Sequence, residues 1–130
     1  MSNMALDKPV SAMTDQQIVD IVGAHLVKQG VMSVDARGDC IYRDAYGNEC
    51  AIGCLIPDEL YDPEMENITI DRFNKEMSPF PGINDYLGLH SPSRVLLLSK
   101  LQILHDDGKL STNTDPNLSA YWKRMIHSIL

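Results

Sequence analysis

The chain has 130 residues, 44% of them hydrophobic and 22% charged, a composition typical of one globular domain with a single core. Eighteen acidic residues against eleven basic ones leave a formal net charge of −7. This charge disfavours binding to nucleic-acid phosphates and favours docking on a basic protein surface. No apolar run approaches the roughly 20 residues of a membrane span, so we expect no membrane partner.

The N-terminal residues 1–13 mix small, polar and proline residues without periodicity, so we predict a flexible lead-in there. They show no basic-then-apolar signal pattern, which favours a cytoplasmic location. The three cysteines are an odd number and are expected to stay reduced in that compartment. Residues 14–130 are predicted to form a single globular domain.

The first helix is predicted to begin after Thr14, because Thr14 and Gln17 form a capping-box pattern. Apolar residues then recur at helical spacing up to Leu26, and Gly30 is a typical C-terminal cap. The start, the buried face and the end of this helix are therefore all specified locally.

A β-hairpin is predicted next, with residues 40–44 and 49–52 flanking a turn at Gly47 and Asn48. Glycine and asparagine tolerate the positive φ angles of tight hairpin turns. The apolar run 51–56 is expected to be buried, and residues 57–60 favour one helical turn because the proline comes first.

Two further main helices are predicted in the second half of the chain. Thr69 is expected to cap a short helix through Met77, and residues 79–82 are expected to form a loop. Ser91 followed by proline predicts a central apolar helix that ends before Gly108. Residues 115–116 repeat this start signal before the last helix. The predicted fold class is α+β: a mainly helical single domain with three main helices and a small β-hairpin.

The cysteine-rich segment resembles a group of small proteins of tailed bacteriophages and prophages. The resemblance rests on Cys40-x-Tyr42-Arg43, Gly47, Cys50-Ala51-x-Gly53-Cys54-Leu55-Ile56-Pro57-Asp58, Tyr61 and Glu66, with His25-Leu26-x-x-Gln29-Gly30 before it and Leu101-Gln102-x-x-x-His105-Asp106 after it. It spans about Thr14 to Trp122. The resemblance implies a phage accessory protein in the host cytoplasm, of the kind that often inhibits or modulates host or defence proteins.

The cysteines offer two interpretations. Cys40, Cys50 and Cys54 could supply three thiolates to zinc, with His25 or His105 as the fourth ligand. Alternatively, they are small apolar side chains of an aliphatic core, which we favour. We therefore predict no cofactor. A cysteine nucleophile is disfavoured because Cys54 lies in an apolar stretch, which raises the pKa of a thiol.

The adjacent pair His105 and Asp106 is typical of some divalent-metal sites, with His25 and Asp115 as possible partners. It is also typical of a helix end, where the helix dipole favours histidine, and we favour this interpretation. For His25 we favour a buried ring bonded to a backbone carbonyl. No complete catalytic arrangement is recognisable, so an enzyme is not favoured.

The candidate binding residues are one arginine and the acidic run that follows the cysteines: Arg43, Asp58, Glu59, Asp62, Glu64 and Glu66. Arg43 could recognise a phosphate or carboxylate, but we favour a simple pairing with Asp58 or Glu59. The acidic run could dock on a basic patch of a partner.

The leading functional hypothesis is a small acidic phage-type accessory protein that binds and modulates a host or phage protein, such as a component of a defence system, without catalysis. One alternative is a binder or hydrolase of a small nucleotide-like ligand that uses Arg43 with His25 or His105. The other is a zinc-stabilised interaction module.

Overall fold

The computed structural model describes residues 8–73, 80–111 and 117–130, and the following account concerns these ranges. Its helices are α1 (Asp15–Gln29), α2 (Ile70–Phe73), α3 (Pro81–Leu87), α4 (Pro92–Ser111) and α5 (Leu118–Met125). Short 3-10 turns occupy Val10–Ala12, Gly53–Leu55, Pro63–Asn67 and Ile126–Ser128. The long helices α1 and α4 both pack against α5, and their apolar faces form the core.

Helix α1 confirms the local signals read from the sequence. The Thr14 hydroxyl accepts from the Gln17 amide, and the Gln17 side chain accepts from the Thr14 amide. Gly30 ends the helix in the left-handed region at a φ of 71°. The buried face includes Ile18, Val22 and Leu26, so the predicted spacing marks the side that packs inward.

The end of the N-terminal segment, just before helix α1, contacts the rest of the domain. Val10 is fully buried and Met13 nearly so, within and just after a 3-10 turn. The Arg94 guanidinium donates to the carbonyls of Val10 and Met13, at 2.8 and 2.9 Å. Residues 10–13 are therefore part of the packed domain, and residues 1–7 lie outside the described part of the chain.

The predicted β-hairpin is wrong. Within the described ranges the backbone forms no strand, only isolated antiparallel bridges of Val34 with Cys40 and of Arg43 with Glu49. Each bridge closes a tight turn, and a short link joins the two turns. After Cys50 the chain enters the 3-10 turn Gly53–Leu55, so no ladder can extend. The fold is mainly α, not α+β.

The two turns have the same internal construction. The Asp35 carboxylate accepts from the amides of residues 37 and 39, and the Asp44 carboxylate accepts from those of residues 46 and 48. Gly38 and Gly47 take the left-handed conformation in equivalent places, at φ angles of 85° and 86°. We call them the twin turns, residues 35–39 and 44–48.

The later helices differ from prediction mainly at their ends. Helix α4 begins at Pro92 as predicted but continues through Gly108 to Ser111. Helix α3 begins at Pro81, inside the predicted loop, because a proline fits the first turn of a helix. Asn117 caps α5 by accepting from the Ala120 amide, whereas the predicted start at residues 115–116 lies outside the described residues, as does Met77. Across the described residues, no helix combines the length and the apolar character that crossing a membrane requires.

Candidate functional site

Arg43, the cationic candidate of the sequence, is used to hold the fold together. Its guanidinium contacts the carboxylates of Glu49 and Asp58 at 3.2 and 2.9 Å and donates to the Ile56 carbonyl at 2.7 Å. It also lies over the Tyr61 ring, 4.4 Å from the ring centroid. The predicted pairing with Asp58 is present. Because the planar fork faces these internal partners, it does not form a phosphate-binding site.

Glu66 also serves the fold. Its two carboxylate oxygens accept from the backbone amides of Tyr42 and Arg43, at 2.7 and 3.1 Å. The second oxygen also accepts from the Tyr61 hydroxyl. Burial, followed by this bond to a carboxylate, raises the pKa of Tyr61 well above its usual range. Glu66 thus ties the Pro63–Asn67 turn to the link between the twin turns.

The other acidic candidates remain at the surface. Asp58, Glu59 and Glu64 are exposed, and Asp62 is partly exposed and caps the Pro63–Asn67 turn by accepting from the Glu64 amide. We call these four residues the acidic ridge. Of the six candidate binding residues, the structure therefore leaves the four of the ridge accessible and uses Arg43 and Glu66 internally.

His25 and Gln29 both bind the backbone of Glu49. The Glu49 carbonyl accepts from His25 Nε2 at 2.8 Å and from the Gln29 amide nitrogen at 2.9 Å. The Gln29 oxygen accepts from the Glu49 amide at 2.8 Å. The predicted histidine–carbonyl bond is therefore present, and helix α1 holds the second twin turn in place.

The three cysteines differ in their exposure to solvent. Cys50 and Cys54 are buried in the core, Cys40 is partly exposed, and none of the three is in a disulfide. Burial raises the pKa of the Cys50 thiol to about 12 and that of Cys54 well above its ordinary value. Neither of these two thiols is suited to be a nucleophile at neutral pH.

Cys40 lies beside His105 and Asp106. One ligand-type atom from each of the three residues falls within 4.8 Å of the other two. Cys50, Cys54 and His25 are not in this group, so the described residues do not bring together the ligands of the zinc site considered as an alternative. The residue types of this group are suited to a metal site and also to a cysteine–histidine–aspartate catalytic triad.

The hydrogen bonds of His105 exclude both roles in the observed geometry. Its Nε2 accepts from the Ser33 backbone amide at 3.1 Å, and an amide N–H can only donate. The ring proton is therefore assigned to Nδ1, which donates to Asp106 Oδ1 at 3.0 Å. A base that activates Cys40 would need a free nitrogen lone pair, and a metal on Nδ1 would require a proton on Nε2. The ring also stacks on Trp122, at a centroid distance of 5.7 Å, as a structural side chain does.

A cavity of about 310 Å³ opens between the link of the twin turns and helix α4. Four isoleucines contribute its apolar wall: Ile41, Ile68, Ile70 and Ile103. Its polar lining includes Cys40, Glu66, Thr69, Ser99, Gln102 and Asp106. Two of these are carboxylates, and no lysine or arginine is among the described residues that line it. Sequence reasoning missed this cavity because its walls come from segments about 60 residues apart.

The chemistry of the cavity does not favour an anionic ligand. A nucleotide would bring phosphates next to two carboxylates, and the described lining residues supply none of the cations that normally bind phosphate. The sequence suggests three side chains for binding a nucleotide-like ligand: Arg43, His25 and His105. Their polar atoms are bonded to partners within the fold. Comparisons of the chain with protein-family models, with curated proteins and with solved structures found no match.

Proposed function

We propose that this chain is a non-catalytic binding protein whose acidic ridge docks on a basic surface of one partner protein. One observation carries the proposal: the side chains of Arg43, His25 and His105 are bonded to partners within the fold. The four residues of the ridge, by contrast, stay wholly or partly exposed. The net charge of −7 adds long-range attraction toward a basic partner. The resemblance to small phage proteins suggests a host or defence protein of the host cytoplasm as that partner.

The ridge is suited to such a role because it is exposed and anchored at the same time. Asp58 is fixed by Arg43, and Asp62 is fixed by its own turn, so their carboxylates are held in defined positions. Preorganised charges lose less conformational entropy on binding than mobile ones. Glu59 and Glu64 add charge without a packing role that the described residues show.

The test uses the double variant Glu59→Gln and Glu64→Gln, which removes two charges and keeps the size of both side chains. The chain is used to capture proteins from a host lysate, the captured partner is purified, and its Kd is measured by calorimetry at two salt concentrations. We expect the double variant to bind about 3- to 30-fold more weakly, with a smaller salt dependence, because rim charges contribute through screened attraction. The thermal unfolding midpoint should not change.

The matched control is Asp20→Asn with Asp39→Asn, which makes the same change of charge at two exposed positions outside the ridge. This variant should retain nearly all of the affinity. Equal weakening by both variants would show that only net charge matters, and would contradict a ridge-specific interface. The proposal also fails if the purified chain captures no partner or turns over a nucleotide.

A further inference from the structure

We propose that the cavity beside Asp106 receives a lysine side chain of the partner protein. This inference rests on the proposed function, because it assigns to that partner the residue that the cavity recognises. It starts from the cavity chemistry: two carboxylates and several isoleucines, with no cation from the described residues. An aliphatic stem that ends in a positive charge matches both parts of this lining.

The hydrogen bonds of Asp106 favour lysine over arginine. Its Oδ1 already accepts from His105 Nδ1 at 3.0 Å and from the Gln102 amide nitrogen at 3.2 Å. Its Oδ2 accepts no hydrogen bond from the described residues. Both oxygens of Glu66, the second carboxylate, are bound by amides and by Tyr61. The strong bidentate pairing of an arginine requires two open carboxylate oxygens, whereas an ammonium group requires one.

The internal bonds also make the carboxylate a fixed acceptor. His105 is fully buried, stacked on Trp122 and bonded to the Ser33 amide, so the donor that holds Asp106 cannot easily turn away. Preorganisation of this kind lets a carboxylate bind an incoming cation without first losing its own freedom. The cavity therefore explains why a buried histidine is bonded to a carboxylate that is still partly exposed.

The apolar rim fits the stem of the same side chain. Ile103 lines the cavity from helix α4 and is 57% exposed, so its apolar side chain is accessible to a partner. Leu96, two turns earlier on α4, is equally exposed. A partner that covers this part of α4 would bury both side chains. Glu66 lies in the same turn as Glu64, so the cavity adjoins the acidic ridge.

The test needs no partner protein. The ¹H–¹⁵N spectrum of the full chain is recorded with N-acetyl-lysine amide at millimolar concentration, and then with N-acetyl-norleucine amide, which has the stem without the charge. We expect the lysine compound to shift amides of residues 40–42, 66–70 and 99–106, and the norleucine compound to shift them at least about tenfold less at equal concentration. Absence of shifts in these segments, or equal shifts with both compounds, would overturn the proposal.

Two variants and one control locate the effect. Asp106→Asn keeps an oxygen for His105 and Gln102 but removes the charge, and Ser99→Trp fills the cavity from helix α4. Both should abolish the lysine-induced shifts, whereas Lys100→Trp, on the adjacent exposed position outside the cavity, should retain them. If Ser99→Trp retains the shifts, the ammonium group binds elsewhere and the inference is wrong. If the lysine inference fails but the ridge variant Glu59→Gln with Glu64→Gln still weakens partner binding, the proposed function stands without the cavity.

Discussion

Replacement of Gly53 by alanine is expected to destabilise the protein by at least about 3 kcal/mol, although it adds only one methyl group. A Cβ atom at this position would lie 2.0 Å from the carbonyl oxygen of Tyr42. That carbonyl cannot move freely, because it accepts from the Cys50 amide at 3.1 Å while the Tyr42 amide is bound by Glu66. Residues 50–52 beside it are fully buried.

The change is measured by urea unfolding, as a lower midpoint with an unchanged slope. Gly47→Ala is the matched control in the same segment. Gly47 has a φ of 86° but no neighbouring atom within 4 Å, so alanine there costs only backbone strain, about 1–2 kcal/mol. If Gly53→Ala were no more destabilising than Gly47→Ala, the close packing of the cysteine-rich segment against Tyr42 would be refuted.

Arg43→Ala is expected to cost about 3 kcal/mol, because it leaves a buried carboxylate without its cation. The Glu49 side chain is 5% exposed, and its Oε1 has no hydrogen-bond partner among the described residues. Arg43 is therefore the main compensation for this charge. The substitution also removes the bond to the Ile56 carbonyl and the contact with Tyr61.

A double variant distinguishes the effect of losing the charge of Arg43 from the effect of losing its packing volume. Arg43→Met with Glu49→Gln removes both charges and keeps most of the volume, so it should be more stable than Arg43→Ala by about 1 kcal/mol or more. Arg37→Ala provides the control, because Arg37 is exposed and forms a long ion pair with Asp39, at 4.0 Å. That variant should unfold within about 0.5 kcal/mol of wild type. Unfolding of Arg43→Ala at the wild-type midpoint would show that Arg43 is available for a ligand after all.

The elements that the sequence predicts well are those specified by neighbouring residues. The capping box at Thr14, the terminating Gly30 and the proline after Ser91 each act within one helical turn, and each appears in the structure. The pairing of Arg43 with Asp58 is similar, since it spans a short segment. Such signals need no knowledge of the tertiary fold.

The hairpin prediction is wrong because two consecutive tight turns and a hairpin share the same local signals. Gly47 and Asn48 are compatible with both structures. The side chain of Asp44 favours the isolated turn, because its carboxylate accepts hydrogen bonds from the turn amides. A signal for the correct answer was present in the sequence: Asp-Ala-x-Gly begins at Asp35 and again at Asp44. The recurrence predicts two copies of one turn instead of two strands.

The candidate cavity could not be predicted, because its geometry depends on distant contacts. The bond that settles the role of His105 comes from the Ser33 amide, 72 residues earlier in the chain. The sequence marks His105 and Asp106 as adjacent but cannot show that Cys40 lies beside them. It also cannot show that the lone pair of His105 Nε2 already accepts from the Ser33 amide, so that this nitrogen cannot act as a base for Cys40 in the observed geometry.

Native-state hydrogen exchange of the Cys50, Cys54 and Ile56 amides tests most directly whether the cysteine-rich segment is scaffold. These amides donate to the carbonyls of residues 42, 50 and 53, at 3.1, 3.1 and 3.2 Å, in the most buried part of the chain. We predict that they exchange only through global unfolding, with a free energy equal to that from urea unfolding. Exchange several kcal/mol below the global value would mean that the segment opens on its own, and would contradict a scaffold role.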